Sequence, residues 1–169
     1  MGMDGENISP KSNEYICCFT GHRNIFPEHT EKMPELLDGI LEMLIDRGVT
    51  VFRAGGAVGF DTVAALKVIE KKKKYPDIKL HLILPCKNQS EKWNDLCKQT
   101  YLYTLSQADS ITYTADEYTH GCMLKRNRQL VNGSQFCIAY CTTGEGGTAY
   151  TLNYAKGRGL RTINIATMF

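Results

Sequence analysis

The chain has no run of about eighteen apolar residues, so a transmembrane helix is not expected. It has no marked charge bias either: 20 Lys+Arg stand against 18 Asp+Glu, a formal net charge of +2. Proteins that bind nucleic acid usually carry a clear basic excess, so neither a nucleic-acid nor a membrane partner is expected, although a local basic pocket fits this balance. It has no CxxC pair and no HExxH, and its seven cysteines are odd in number. Cys17, Cys18, Cys137 and Cys141 sit in apolar runs, where reduced cysteine behaves as a small hydrophobe. A disulfide framework is therefore not expected. His120 and Cys122 are close and Cys86 lies at another strand end, but metal-site spacing is missing, and no metal or cofactor is expected. The first residues, Met1 to Asn13, hold no apolar stretch of signal-peptide type. They read as a flexible leader before one domain over 14–169, with a cytoplasmic location as the expectation.

What is present is the composition of a folded domain. The 169 residues are 43% hydrophobic and 22% charged, far from the disordered range and long enough to bury a core. Six short apolar, β-branched or aromatic runs recur: Tyr15–Thr20, Val49–Ala54, Lys79–Leu84, Ser110–Tyr113, Phe136–Cys141 and Thr162–Ala166. Most are near-continuously apolar, as strands buried on both faces are.

Helical patterns fill the gaps between them. Met33, Leu36, Leu37, Ile40, Leu41 and Leu44 mark one face of a helix over Glu31–Arg47, with Thr30 as N-cap, Pro34 in its first turn and Gly48 as its left-handed stop. A second helix starts at Asp61, a good N-cap residue, and ends in Lys71–Lys74, which read as solvated lysines complementing the helix dipole. A third spans Gln89–Ser106 with Trp93, Leu96, Cys97 and Leu105 inward. A fourth spans Cys122–Val131 and a fifth Thr148–Lys156, whose exposed face is one place for a homo-oligomer to form. The alternation predicts a doubly wound, Rossmann-like three-layer α/β/α sandwich with a mainly parallel sheet of about six strands. Such sheets bind ligands beyond the carboxyl ends of the strands, where the strand order reverses.

The loops at those ends are rich in glycine and polar groups. Thr20-Gly21-His22-Arg23 follows the first strand, and Gly55-Gly56-Ala57-Val58-Gly59-Phe60-Asp61 the second. Asp116 to Gly121, with Tyr118, follows the fourth, and Thr142-Thr143-Gly144-Glu145-Gly146-Gly147-Thr148 the fifth. Glycine lets a backbone approach a ligand closely, and a helix start offers free N–H groups and positive partial charge. Together they make an anion cradle suited to phosphate, to which Arg23, Arg126 and Arg128 can add charge-assisted contacts. Neither loop is a GxGxxG fingerprint or a Walker A loop. The ligand-binding expectation covers Thr20, Gly21, His22, Arg23, Gly55, Gly56, Gly59, Asp61, Tyr118, Arg126, Gly144, Gly146, Gly147 and Thr148. Tyr118 is the aromatic suited to stacking on a base. His22 and His120 titrate near neutrality and are acid–base candidates, a polar contact being the commoner role for such a histidine.

At these loops the sequence resembles the SLOG superfamily, which unites the DNA-processing protein A family with the Lonely Guy phosphoribohydrolases, and within it the YpsA-like branch. The carriers are Thr20 to Arg23, Ala54 to Thr62, Leu84-Pro85-Cys86, Gly121 to Met123 with Arg126 to Arg128, and Gly146 to Tyr150. The resemblance implies a nucleotide or nucleotide-derived ligand. A Lonely Guy-type enzyme would cleave a nucleotide N-glycosidic bond. Its motifs match at Met123, Arg126, Gly147 and Thr148, but Asn127 stands for its lysine and Thr151 for its catalytic glutamate. A threonine hydroxyl cannot carry that negative charge. Arg126 and Glu145, the nearest substitute carboxylate in sequence, are the catalytic candidates if the chemistry is kept. The DNA-processing relatives imply single-stranded DNA binding, against which the near-neutral charge argues.

Overall fold

The computed structural model describes residues 14–169; the leader expected over Met1 to Asn13 lies outside the described residues. Six strands, β1 (Tyr15–Gly21), β2 (Val49–Ala54), β3 (Lys79–Cys86), β4 (Ser110–Ala115), β5 (Phe136–Tyr140) and β6 (Arg161–Asn164), form one sheet in the order β4-β3-β2-β1-β5-β6. Every neighbouring pair is parallel. The chain steps outward from β1 to β4, then crosses back to place β5 on the other side of β1. The strand order therefore reverses between β1 and β5.

Six helices connect these strands: α1 (Pro27–Thr30), α2 (Met33–Asp46), α3 (Phe60–Lys72), α4 (Asp95–Gln107), α5 (Cys122–Val131) and α6 (Gly147–Gly157). Alternate strand residues divide the core. Cys17, Phe19, Phe52, Leu80, Leu82 and Leu84 pack with Leu37, Leu41 and Leu44 of α2 and with Ala64 and Val68 of α3. Burying each leucine contributes roughly 1.5–3 kcal/mol, so this face carries most of the apolar stabilisation. A smaller cluster on the opposite face joins Cys18, Ile83 and Cys137 to Leu130 and Val131 of α5 and Ala155 of α6. All seven cysteines are free thiols.

The α/β architecture matches the sequence reading, and several local expectations need correction. Thr30 does not cap the helix that follows. It closes the short α1, its hydroxyl donating to Phe26 O at 3.2 Å, and α2 starts at Met33. The third predicted helix starts later, at Asp95, because Asn94 accepts the Cys97 N–H at 2.8 Å and fixes the start there. Leu96 consequently points outward and is 73% exposed. The last strand stops at Asn164 and continues as a 3-10 turn, Ile165–Thr167, because the Asn164 side chain accepts the Ala166 N–H. The exposure of β4 fits its place at the sheet edge.

The lysine block is a further correction. Lys71 is buried, with Nζ 2.7 Å from Asp38 and 2.5 Å from Glu42; Lys74 also reaches Glu42, and Lys72 bonds Asp109 at 2.7 Å. Carboxylates from α2 and from the start of β4 thus neutralise a cluster that the sequence alone presents as solvated. Among the described residues no helix is long and apolar enough to cross a membrane, and no cluster of three His, Cys, Asp or Glu side chains could hold a metal ion.

Candidate functional site

A cavity of about 360 Å³ opens beyond the carboxyl end of β1, at the point where the strand order reverses between β1 and β5. Five chain segments meet there. The end of β1 brings Thr20 to Arg23, α3 brings Asp61, and α5 brings Arg126 and Asn127. The start of α6 brings Gly147 and Thr148, while Trp93 and Tyr118 come from the loops before α4 and α5. Met123, Leu124 and Leu130 supply apolar wall.

Arg126 is the central cation. Only 4% exposed, it donates from Nη1 to Gly55 O and, at 3.5 Å, to Ile83 O, and from Nε to Asn127 Oδ1 at 2.9 Å. Burial draws its pKa below the usual arginine range, while the field of Asp61 pulls the other way. Among the described residues no carboxylate closes an ion pair with it. A guanidinium buried without a counter-ion is costly, and an anion entering the cavity would offset that cost.

Asp61 does not cap α3. The capping position belongs to Gly59, and the Asp61 carboxyl is folded inward, 4% exposed. Its Oδ2 accepts the Ala57 N–H at 3.3 Å, and its Oδ1 has no hydrogen-bond partner. Burial raises its pKa to about 6, against the opposing pull of Arg126 and the Ala57 N–H. Gly55 explains how the two charges come together. A Cβ at that position would lie 2.5 Å from Arg126 Nη1 and 2.9 Å from Asp61 Oδ2, so only glycine leaves room for both.

The two glycine loops therefore differ physically. A Cβ at Gly21 or Gly56 would strike Phe60 or Leu84, and one at Gly59 would strike the Arg23 backbone. Their space is filled by the protein itself, and Gly55, Gly56 and Gly59 do not line the cavity. Around Gly144 and Gly146 a Cβ would meet nothing within 4 Å, and around Gly147 only Asn127 Nδ2, at 3.9 Å. Gly146, with φ +94°, turns the chain into α6, and no side chain caps that helix start. Its first-turn N–H groups lack intrahelical partners, and Gly147 and Thr148 line the cavity.

Thr20, Gly21, His22, Arg23, Asp61, Tyr118, Arg126, Gly147 and Thr148 all border the one cavity. Tyr118 stands at its rim, 66% exposed. His22 uses Nε2 to accept the Thr142 N–H at 2.9 Å, which fixes the neutral ring with its proton on Nδ1. Burial lowers its pKa, consistent with that bond. Glu145 is exposed on the β5–α6 loop and does not border the cavity. Thr151 is fully buried, and its hydroxyl donates to Gly147 O at 2.8 Å, one turn back along α6. The carboxyl group that does border the cavity is Asp61. Gln89, Trp93 and Asn127 also border it although the ligand-binding expectation leaves them out; Asn127, which the resemblance aligns with a lysine, is the one a motif already points to.

A parallel sheet in this order, with its cleft at the reversal of strand order, defines a Rossmann-like α/β protein. The chain belongs to the YpsA family, described as the YspA SLOG family, whose model matches residues 17–167. It is 31% identical over 134 residues to the uncharacterized SPbeta prophage-derived protein YoqJ of Bacillus subtilis (strain 168), covering 72% of this chain and 78% of that protein. It is 35% identical over 94 residues to a UPF0398 protein of Staphylococcus epidermidis, covering 54% of this chain and 49% of the relative. Two solved structures share the fold. DNA processing protein A from Streptococcus pneumoniae superposes with a TM-score of 0.63 at 14% identity, over 88% of this chain and 49% of that one. DNA processing protein A from Helicobacter pylori, described for its single-stranded DNA binding mode, gives 0.61 at 17% identity, over 88% of this chain and 63% of that one. The chain thus spans about half the length of the S. epidermidis and S. pneumoniae proteins.

Proposed function

We propose that this protein binds a nucleotide or nucleotide-derived small molecule in the cleft between β1 and β5, as a sensor or processing protein. The observation that carries this reading is the convergence of buried Arg126 with the uncapped start of α6 on one cavity. Free N–H groups at a helix start and a buried guanidinium with no direct ion pair favour the same ligand group, a phosphate. The apolar wall of Trp93, Met123 and Leu124, with Tyr118 at the rim, suits a base. Binding is preferred over N-glycosidic hydrolysis because the Thr151 hydroxyl is engaged within α6 and Glu145 stands outside the cavity.

The test is a thermal-shift screen against nucleoside mono-, di- and triphosphates, NAD, ADP-ribose and cyclic dinucleotides, followed by calorimetry on any hit. A ligand at about a hundred times its Kd should add roughly 2.7 kcal/mol of stability. Melting temperatures unmoved at millimolar concentration across the panel would refute the reading.

Single-stranded DNA is the second reading, favoured by the shared fold with the H. pylori protein. Here the cleft would take a phosphodiester instead of a terminal phosphate. The neutralisation of Lys71, Lys72 and Lys74 by Asp38, Glu42 and Asp109 removes the longest basic run of the sequence as a surface for a strand to follow. Submicromolar, steeply salt-dependent binding of an oligonucleotide would favour this reading over the first.

A further inference from the structure

Phosphate capture by Arg126 and α6 leaves one buried group of the cleft unused. Asp61 has one oxygen on the Ala57 N–H and one with no partner. Rotation about χ2 of a carboxylate is broadly permitted, so the two oxygens can exchange the Ala57 bond and the unpaired buried position. The neighbouring cation does not satisfy that position, because Arg126 Nη1 donates to Gly55 O and Ile83 O and Nε to Asn127. A carboxyl group buried with an unmet acceptor destabilises a fold, and such groups concentrate where a ligand completes them.

The chemistry of the missing partner follows from what surrounds Asp61. An ionised carboxylate only accepts hydrogen bonds, so the partner is a donor. It is not a phosphate, which the carboxylate would repel. Asp61 adjoins Arg126 across Gly55, beside the proposed phosphate position, and borders the same cavity as the apolar wall proposed for the base. In a nucleotide the group bonded between phosphate and base is the sugar. Its only hydrogen-bond donors, once the phosphate is attached, are its hydroxyl groups.

We propose that Asp61 is the sugar-reading residue of the cleft: its carboxylate accepts a hydrogen bond from a ribose hydroxyl, so that the site selects ribonucleotides over nucleotides lacking those hydroxyls. The proposal rests on the nucleotide reading given above. It assigns Asp61 to specificity, not to bond cleavage.

The experiment compares the four ribonucleoside 5′-monophosphates with their 2′,3′-dideoxy counterparts by calorimetry, on the wild-type chain and on Asp61→Asn. Asparagine keeps the shape and an acceptor for Ala57 but loses the charge. Wild type should bind at least one ribonucleotide about tenfold or more tightly than its dideoxy form, the usual scale for a hydrogen bond to a charged group. Asp61→Asn should bring the ribonucleotide close to the dideoxy affinity while leaving dideoxy binding unchanged. Equal wild-type affinity for the two series overturns the sugar assignment and leaves the nucleotide reading standing. Equal losses for both series in Asp61→Asn also overturn it, since the residue would then act through Arg126 or the fold. Failure of every monophosphate in both series to bind wild type overturns the sugar assignment, while the nucleotide reading stands or falls on the wider screen. A ribose preference retained in Asp61→Asn overturns the sugar assignment as well, and the wild-type comparison alone can still overturn it if the variant folds poorly.

Discussion

Asp61 and Arg126 are separated by 65 positions in sequence and meet at the single Cβ-less position of Gly55, 2.9 Å and 2.5 Å from where a methyl group would stand. Each is 4% exposed, each has its pKa displaced by burial, and neither is neutralised by a direct ion pair among the described residues. Two opposite charges held near each other without closing leave a polar site that a ligand with both an anion and a donor would complete.

Gly55→Ala should therefore damage the site from within. The added methyl must displace the guanidinium or the carboxyl, and overpacking of this kind costs typically 1–3 kcal/mol. Gly144→Ala is the control, because a Cβ there meets nothing within 4 Å. It should change stability by no more than about 0.5 kcal/mol. Urea denaturation of both variants checks this. Similar losses for the two would show that the space around Gly55 is not limiting.

Asp61 should make stability depend on pH in a known direction. Its folded-state pKa of about 6 lies above the ordinary 3.8 of an aspartate, so between those values the folded state holds the proton more tightly. Its contribution to stability is thus fully present below about pH 4 and lost as pH rises through about 6. Two pKa units set an upper scale of about 3 kcal/mol. Asp61→Asn removes the penalty, so its stability relative to wild type should be greater at pH 7.5 than at pH 4.5. Unfolding curves at the two pH values measure that difference. An offset independent of pH would contradict the burial of an ionising carboxyl.

How much of this was legible in the sequence differs between the sheet and the cleft. The strands are continuous apolar runs, and the α2 face repeats at helical spacing, so both announce themselves locally. The loops expected to border the cleft follow from the same logic, because strand ends in such sheets face one side. Locally Asp61 reads as a helix cap as well as a ligand-loop residue, because a carboxylate two residues after Gly59 looks like one. Its burial is decided by Arg126 and by the missing Cβ of Gly55, which no local pattern displays. Lys71 was misread for the same reason: its partners, Asp38 and Glu42, stand a full strand and helix earlier.

Arg53 also has a role invisible in sequence. Its Nη1 lies 2.6 Å from Asn132 O and 3.3 Å from both Gln129 O and Leu130 O, carbonyls at the carboxyl end of α5, the helix that carries Arg126. Arg53→Met keeps the apolar stem and removes these bonds, leaving the helix end without its cation. The expected loss is about 1–3 kcal/mol. Thermal unfolding measures it, and a change below about 0.5 kcal/mol would show that solvent replaces the guanidinium at little cost.

His22 should titrate below its ordinary 6.5, because burial disfavours its charged form and Nε2 must stay unprotonated to accept from Thr142. Protonation breaks that bond, so its contribution is present above the ordinary value and lost as pH falls through the lowered one. In a nitrogen-detected NMR titration, the neutral ring should carry its proton on Nδ1, and the Thr142 amide should shift with the same midpoint. A Thr142 amide that ignores the His22 titration would contradict the bond.

The central claim is that a phosphate-bearing ligand enters the cleft between Arg126 and the start of α6. Amide and guanidinium NMR shifts, followed while a nucleotide from the screen is added to saturation, test it most directly. The largest changes should fall at the Gly147 and Thr148 N–H groups and at Arg126 Nε, all fitting one dissociation constant. Saturable binding whose shifts cluster elsewhere, for example around Arg47, Arg158 and Arg161 in the concavity near the amino ends of β1 and β5, would contradict it.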